Sequence, residues 1–107
     1  MTAEKIKGGT KMYEGKKCIV RCQGAGVFFA EVASLDGQTA ELHDARRIWY
    51  WDGAASLSQL AQEGVKKPRS CKFTVTVPLM TVTGVLEVIP CTDAAVESIN
   101  GVPVWKM

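Results

Sequence analysis

Residues 27–43 read Val-Phe-Phe-Ala-Glu-Val-Ala-Ser-Leu-Asp-Gly-Gln-Thr-Ala-Glu-Leu-His, and this stretch predicts a β-hairpin. In its first half apolar side chains recur at every second position, which places Phe28, Ala30 and Val32 on one face of a strand. Asp36-Gly37 is a two-residue turn signal, because glycine adopts the positive φ that tight hairpin turns need. The chain then returns as a second alternating strand. Alternation on both sides of a tight turn predicts antiparallel β-structure.

Further strands and two short helices are predicted around this hairpin. The six predicted strands cover 17–22, 27–34, 38–43, 46–51, 71–77 and 84–89. Ser56 and Gln59 form a capping box for the first helix, which stops at Gly64. Thr92 caps the second helix, which closes at Asn100-Gly101. Strands about ten residues apart with tight turns predict a β-dominated α+β fold, either a small bent antiparallel sheet or an SH3-like barrel, with the two helices plugging or flanking it.

The length of 107 residues fits one domain, with a polar N-terminal arm over 1–16 and a single globular domain over 17–107. Thirteen basic and eleven acidic residues leave a net charge of +2. That balance argues against a dedicated nucleic-acid binder, which usually has one strongly basic face. The N-terminus has no apolar segment of a secretory signal, and no apolar run approaches the ~20 residues that cross a membrane. We therefore expect a cytoplasmic protein without membrane or nucleic-acid partners.

Cysteine and histidine usage gives no sign of a metal or another cofactor. Cys18 and Cys22 share a face of one predicted strand, and about 13 Å between their Cα atoms is too far for a disulfide. The other two cysteines are Cys71 and Cys91, no Cys-x-x-Cys occurs, and the only histidine is His43. We expect reduced, buried, structural cysteines and no cofactor.

Residues 45–56, Ala-Arg-Arg-Ile-Trp-Tyr-Trp-Asp-Gly-Ala-Ala-Ser, form the candidate functional stretch. Arginine forks, flat aromatic faces and a helix N-terminus are groups that hold an anionic, ring-bearing ligand. The small side chains of the turn would let a ligand approach the backbone N–H groups. The candidate ligand-binding residues are Arg46, Arg47, Trp49, Trp51, Gly53, Ala54 and Ser56.

Only one of the two arginines can join a given site, because neighbouring residues on a strand point to opposite faces. Arg47 is favoured since it shares a face with Trp49 and Trp51. Arg46 is then expected in a surface salt bridge or in contact with a neighbouring subunit. Alternatives remain open: both arginines are ordinary exposed residues, the aromatic side chains belong to the core, or the turn at Gly53 needs glycine for its geometry alone.

The run 45–51, the segment 53–61, the following Glu63-Gly64-Val65-Lys66 and Pro68 carry a resemblance to a known group of proteins. With them, the chain resembles small proteins encoded by tailed bacteriophages and prophages. The resemblance runs from about Gly15 to Trp105. It implies a viral gene product that acts in the bacterial host cytoplasm or is built into a virion.

No catalytic motif is present: the chain lacks a paired-carboxylate constellation, a nucleophile elbow and a metal-ligand cluster, so an enzyme is not predicted. The first functional hypothesis is a binding module that sequesters a signalling nucleotide or blocks a host defence protein. The alternative is a virion structural or assembly protein whose Trp-Tyr-Trp run anchors an interface. In either case a homo-oligomer is expected, because surplus aromatic side chains leave apolar surface to cover.

Overall fold

The computed structural model describes Tyr13 and residues 15–107, so most of the predicted N-terminal arm lies outside the described residues. The elements in chain order are β1 Lys17–Cys22, β2 Gly26–Asp36, β3 Thr39–Tyr50, α1 Leu57–Glu63, a 3-10 turn Pro68–Ser70, β4 Lys72–Val82, β5 Val85–Pro90 and α2 Asp93–Asn100. The predicted β-dominated fold with two short helices is confirmed.

The five strands form one antiparallel sheet in the order β4-β3-β2-β1-β5, so the bent-sheet alternative describes the fold. β4 and β5 lie at opposite edges, yet only Thr83 and Gly84 separate them along the chain. The sheet therefore curls until its two edges approach each other at this end. The Val85 N–H donates to the Gln38 carbonyl at 2.9 Å, and the Gln23 N–H donates to the Gly84 carbonyl at 2.8 Å.

Both faces of the curled sheet are buried, which gives the domain two hydrophobic clusters. Alternation along β1 shows the division, since Cys18, Val20 and Cys22 join the cluster on the inner face and Ile19 joins the cluster on the outer face. The outer cluster includes Leu60 of α1 and residues of α2. The helices therefore flank the sheet. All four cysteines are free thiols, three of them buried and Cys91 half-buried.

β3 is a single strand, where the sequence predicted two strands broken near Asp44. Between the pairs Glu31–His43 and Phe29–Arg46, β3 contains one residue more than β2. This is a β-bulge, and Asp44 has a φ of 52° there. The interrupted alternation resembles a turn in the sequence, but the bulge absorbs the extra residue and keeps the strand paired.

The predicted helix signals are confirmed. The Ser56 hydroxyl accepts a hydrogen bond from the Gln59 N–H, and Gly64 ends α1 with a φ of 78°. The Thr92 hydroxyl accepts from the Ala95 N–H at the start of α2. Pro78 lies within the edge strand β4 and has no paired residue on β3. An edge strand tolerates a residue without an N–H donor.

Candidate functional site

Arg47, Trp49 and Trp51 line one surface cavity of about 380 Å³ at the end of β3. The β1–β2 turn also lines the cavity, with the small residues of the segment 24–26. The bulge at Asp44 sets this arrangement, because the residues after it change face relative to those before it. The cavity brings these three side chains together, although Trp51 lies beyond the end of β3 and packs against the outer cluster.

The guanidinium of Arg47 is held on one side and is free of acidic partners. It lies 4.6 Å from the centre of the Phe28 ring, and its Nη1 donates to the Ala25 carbonyl. None of the described carboxylates lies within 4 Å of this guanidinium. Arg47 is also the one charged residue among the described residues that line the cavity. Its other N–H groups are available for an anion.

The two cavity indoles differ in how they are held. Trp51 is half-buried, and its Nε1–H donates to the Ala54 carbonyl at 3.2 Å. Trp49 is 65% exposed and stacks on Trp105, with ring centroids 6.2 Å apart and ring planes 15° apart. Of the three aromatic side chains in the run, Trp49 and Tyr50 are therefore exposed, and a wholly core role for the run is excluded.

Trp105 is a residue that the sequence analysis did not place at the site. It is 43% exposed and packs against Trp49. Lys72 places its Nζ 5.4 Å from the centre of the Trp105 ring. No local pattern indicates this pair, because the two tryptophans meet only when the C-terminal segment runs beside β4.

Arg46 lies on the opposite face of the sheet and is only 6% exposed. Its Nε donates to the Thr74 carbonyl at 2.8 Å, its Nη1 to Ile99 at 3.1 Å and its Nη2 to Val102 at 2.7 Å. The expected surface salt bridge or subunit contact is corrected here: the guanidinium binds carbonyl groups, including that of Ile99 at the negative end of the α2 dipole. Burial lowers the pKa of Arg46 from its usual value.

The turn before α1 is not part of the cavity lining. Gly53 has a φ of 90°, and a Cβ there would lie 2.5 Å from the Lys66 backbone nitrogen. The Ala55 N–H donates to Gln59 Oε1 and the Gln59 N–H to the Ser56 hydroxyl, so these donors already have acceptors. Gly53, Ala54 and Ser56 therefore shape the strand-to-helix corner, as in the alternative that needs glycine for geometry alone.

The thiols of the domain are poorly suited to nucleophilic chemistry. Burial raises the pKa of Cys18 to about 11 and that of Cys91 to about 12. Burial also raises the pKa of Cys22, and the nearby positive charge of Arg47 lowers it by a smaller amount. Because the thiolate is the reactive form, these groups stay protonated and unreactive near neutral pH.

Two features, a metal site and a membrane-spanning helix, are absent from the part of the chain that the structure describes. In that part, no group of three or more His, Cys, Asp or Glu side chains could hold a metal ion. None of its helices is long and apolar enough to cross a membrane. Among the described residues, the group with the clearest binding chemistry is thus the Arg47 guanidinium, which has no acidic partner there and shares a cavity with two indoles.

Comparison with known proteins identifies a family but adds no activity. Neither the curated proteins nor the solved structures include a significant match to the chain. A family described as a domain of unknown function, DUF6948, matches residues 15–99. The matched region contains every residue that lines the cavity and ends before Trp105. Because this match covers most of the 107 residues, the chain belongs to the DUF6948 family.

Proposed function

We propose that this protein is a non-enzymatic binding module for an anionic, ring-bearing ligand such as a signalling nucleotide. The observation that carries the proposal is the cavity in which Arg47, Trp49 and Trp51 meet, where none of the described lining residues is acidic. Its volume of about 380 Å³ lies within the range of small-ligand sites. The host bacterial cytoplasm is the proposed place of action, and stoichiometric sequestration the mode.

Each part of the cavity has a separate role in this proposal. The free N–H groups of Arg47 bind a phosphate, because a guanidinium offers paired donors to an oxyanion. The exposed face of Trp49 stacks on the ring of the ligand. Trp51 forms the fixed wall, since its N–H is bound to Ala54 and its rotamer is thereby set. The small residues 24–26 line the cavity beside Arg47, whose Nη1 donates to the Ala25 carbonyl, and add little side-chain bulk to it.

Tryptophan fluorescence tests the proposal with a panel of nucleoside monophosphates, nucleoside diphosphates and cyclic dinucleotides. We expect saturable quenching by at least one of them. Loss of the charged donors in Arg47→Gln is expected to weaken binding at least about tenfold. Arg21→Gln is the matched control, because Arg21 is an exposed arginine paired with Glu87 at 2.7 Å and is not among the residues lining the cavity. The absence of quenching and of a thermal shift with every ligand would contradict the proposal.

A protein-binding role is the second candidate, either as a virion structural or assembly protein or as a blocker of a host protein. The favouring observation is the exposure of large apolar side chains at this end of the sheet, with Trp49 and Trp105 stacked on each other and Tyr50 and Val104 next to them in the chain. Such a surface is typical of an interface anchor, and self-association would cover it. Mass spectrometry of purified virions tests the assembly role, which absence from the particle would rule out. Sedimentation tests self-association, which a monomer at tens of micromolar would contradict.

A further inference from the structure

Trp49 has little support from its own strand. It is 65% exposed near the end of β3, and the ring contact that the structure gives it is the stack on Trp105. An exposed tryptophan without a partner samples several rotamers, only some of which would face the cavity. The orientation of the Trp49 indole at the cavity therefore depends on Trp105.

Trp105 is itself fixed by the edge of the sheet. Its N–H donates to the Phe73 carbonyl at 2.8 Å, and Val104 forms a parallel bridge with Phe73. Phe73 is fully buried, so this backbone anchor belongs to the rigid part of β4. Lys72 packs its Nζ against the Trp105 ring at 5.4 Å. The main chain of the C-terminal segment is thus held by the sheet, while its indole lies outward on Trp49.

We infer that Trp105 is a positioning residue of the cavity: the C-terminal segment 103–107 holds the Trp49 indole in the orientation that a ligand ring needs. The stacking requires no ligand, whereas its effect on affinity rests on the proposed function. Trp105 lies beyond the region matched by the family, which ends at residue 99. The segment therefore adds a determinant of affinity that the family match does not include.

The effect on binding follows from the entropy of the Trp49 side chain. Ordering one side chain on binding weakens affinity by about two- to tenfold, and Trp105 performs that ordering in advance. Trp105→Ala in the full chain is thus expected to weaken GMP binding by this factor without lowering the melting temperature appreciably. Trp105→Phe restores part of the affinity, because a phenyl ring still stacks. Leu79→Ala is the matched control, since Leu79 is an exposed apolar residue of β4 that does not line the cavity.

Circular dichroism tests the positioning directly and without a ligand. Two stacked indoles couple their electronic transitions and give a paired positive and negative band in the far ultraviolet. We expect this couplet in the wild-type protein and in Trp51→Phe, and we expect its loss in Trp105→Ala and in Trp49→Phe. Iodide quenching of Trp49 should rise in Trp105→Ala for the same reason.

The outcomes separate this inference from the proposed function. An unchanged couplet and unchanged iodide quenching in Trp105→Ala overturn the inference, as does GMP binding at wild-type affinity in that variant. Loss of the couplet with weaker GMP binding supports it. If neither GMP nor the rest of the nucleotide panel quenches the wild-type protein, the proposed function fails. Loss of the couplet and increased iodide quenching would then still support the positioning of Trp49 by Trp105.

Discussion

Arg46 and Arg47 follow each other on β3 and carry the same side chain, yet they face different parts of the molecule. Arg46 is 6% exposed and donates to carbonyl groups of β4, α2 and the segment after it. Arg47 is half-buried at the cavity, and among the described residues its guanidinium donates to Ala25 alone. The comparison teaches that the number of acceptors around a guanidinium, and not its place in a motif, separates a structural arginine from a candidate ligand-binding one.

The bulge at Asp44 determines that Arg46 faces the helices and that Arg47 faces the cavity. Before it, Ala40 and Leu42 face the inner cluster. After it, Ala45 is the residue on the inner face, because β3 contains one residue more than β2 at this point. If β3 alternated regularly through Asp44, Arg46 would follow Leu42 and face inward, and Arg47 would face the helices. The bulge at this single residue thus assigns the two roles.

The largest effect is expected from Arg46→Ala. The substitution leaves the carbonyl groups of Thr74, Ile99 and Val102 without their donor, and each such loss costs on the order of 1 kcal/mol. The free energy of unfolding measured in urea should fall by roughly 3 kcal/mol. Arg46→Lys should give an intermediate value, because one ammonium group cannot reproduce the fork of a guanidinium. A loss well below 1 kcal/mol would contradict the structural role of Arg46.

Gly53→Ala is expected to have the next largest effect. Its Cβ would lie 2.5 Å from the Lys66 nitrogen and 2.6 Å from the Lys67 nitrogen, both of them backbone atoms. We expect about 1–3 kcal/mol of destabilisation in thermal unfolding. Gly37→Ala is the control, because Gly37 also has a positive φ but its Cβ would meet no atom within 4 Å. Lost nucleotide binding with unchanged stability would instead place the turn in the site.

Ser56→Ala is expected to cost about 1 kcal/mol, the usual loss of an N-cap side chain. Its hydroxyl accepts from the Gln59 N–H at 3.2 Å, and this bond has no replacement in alanine. Ser58→Ala, at an exposed position inside α1, serves as the control and should change urea stability little. An anion-binding role for this helix start would be indicated by the opposite result, weaker nucleotide binding with unchanged stability.

The smallest effect on stability is expected from Arg47→Gln, although this variant should lose ligand binding. The Arg47 side chain makes one hydrogen bond and a contact with the Phe28 ring, and it stays half-exposed. The free energy of unfolding should therefore fall by less than about 1 kcal/mol. A loss as large as that of Arg46→Ala would remove the difference between the two arginines and make Arg47 a structural residue.

The sequence predicts those features that depend on neighbouring residues. The hairpin turn at Asp36-Gly37 and the helix caps at Ser56 and Thr92 are local, and all of them are confirmed. Strand alternation predicts one face for Arg47, Trp49 and Trp51; all three line the same cavity, but Trp51 lies beyond the end of β3 and packs against the outer cluster.

The features that the sequence does not predict depend on distant partners. The acceptors of Arg46 lie 27 to 56 residues away along the chain. The stack of Trp49 on Trp105 requires β4 to lie beside β3 first. The bulge at Asp44 is local, but its residue types are also those of an ordinary turn. Only the pairing of β3 with β2 shows that the strand continues through a bulge here.

The pairing of β1 with β5 has a consequence for synthesis on the ribosome. Cys18 pairs with Pro90, whereas the other strand pairs join neighbours in the sequence. The strands β1 to β4 can therefore form a meander while β1 still presents an unpaired edge, since local contacts form before distant ones. That edge stays open to another chain until β5 emerges. The Arg46 guanidinium likewise cannot donate to the Ile99 and Val102 carbonyls until those residues have been synthesised. The meander therefore becomes fully stable only after α2 has been made.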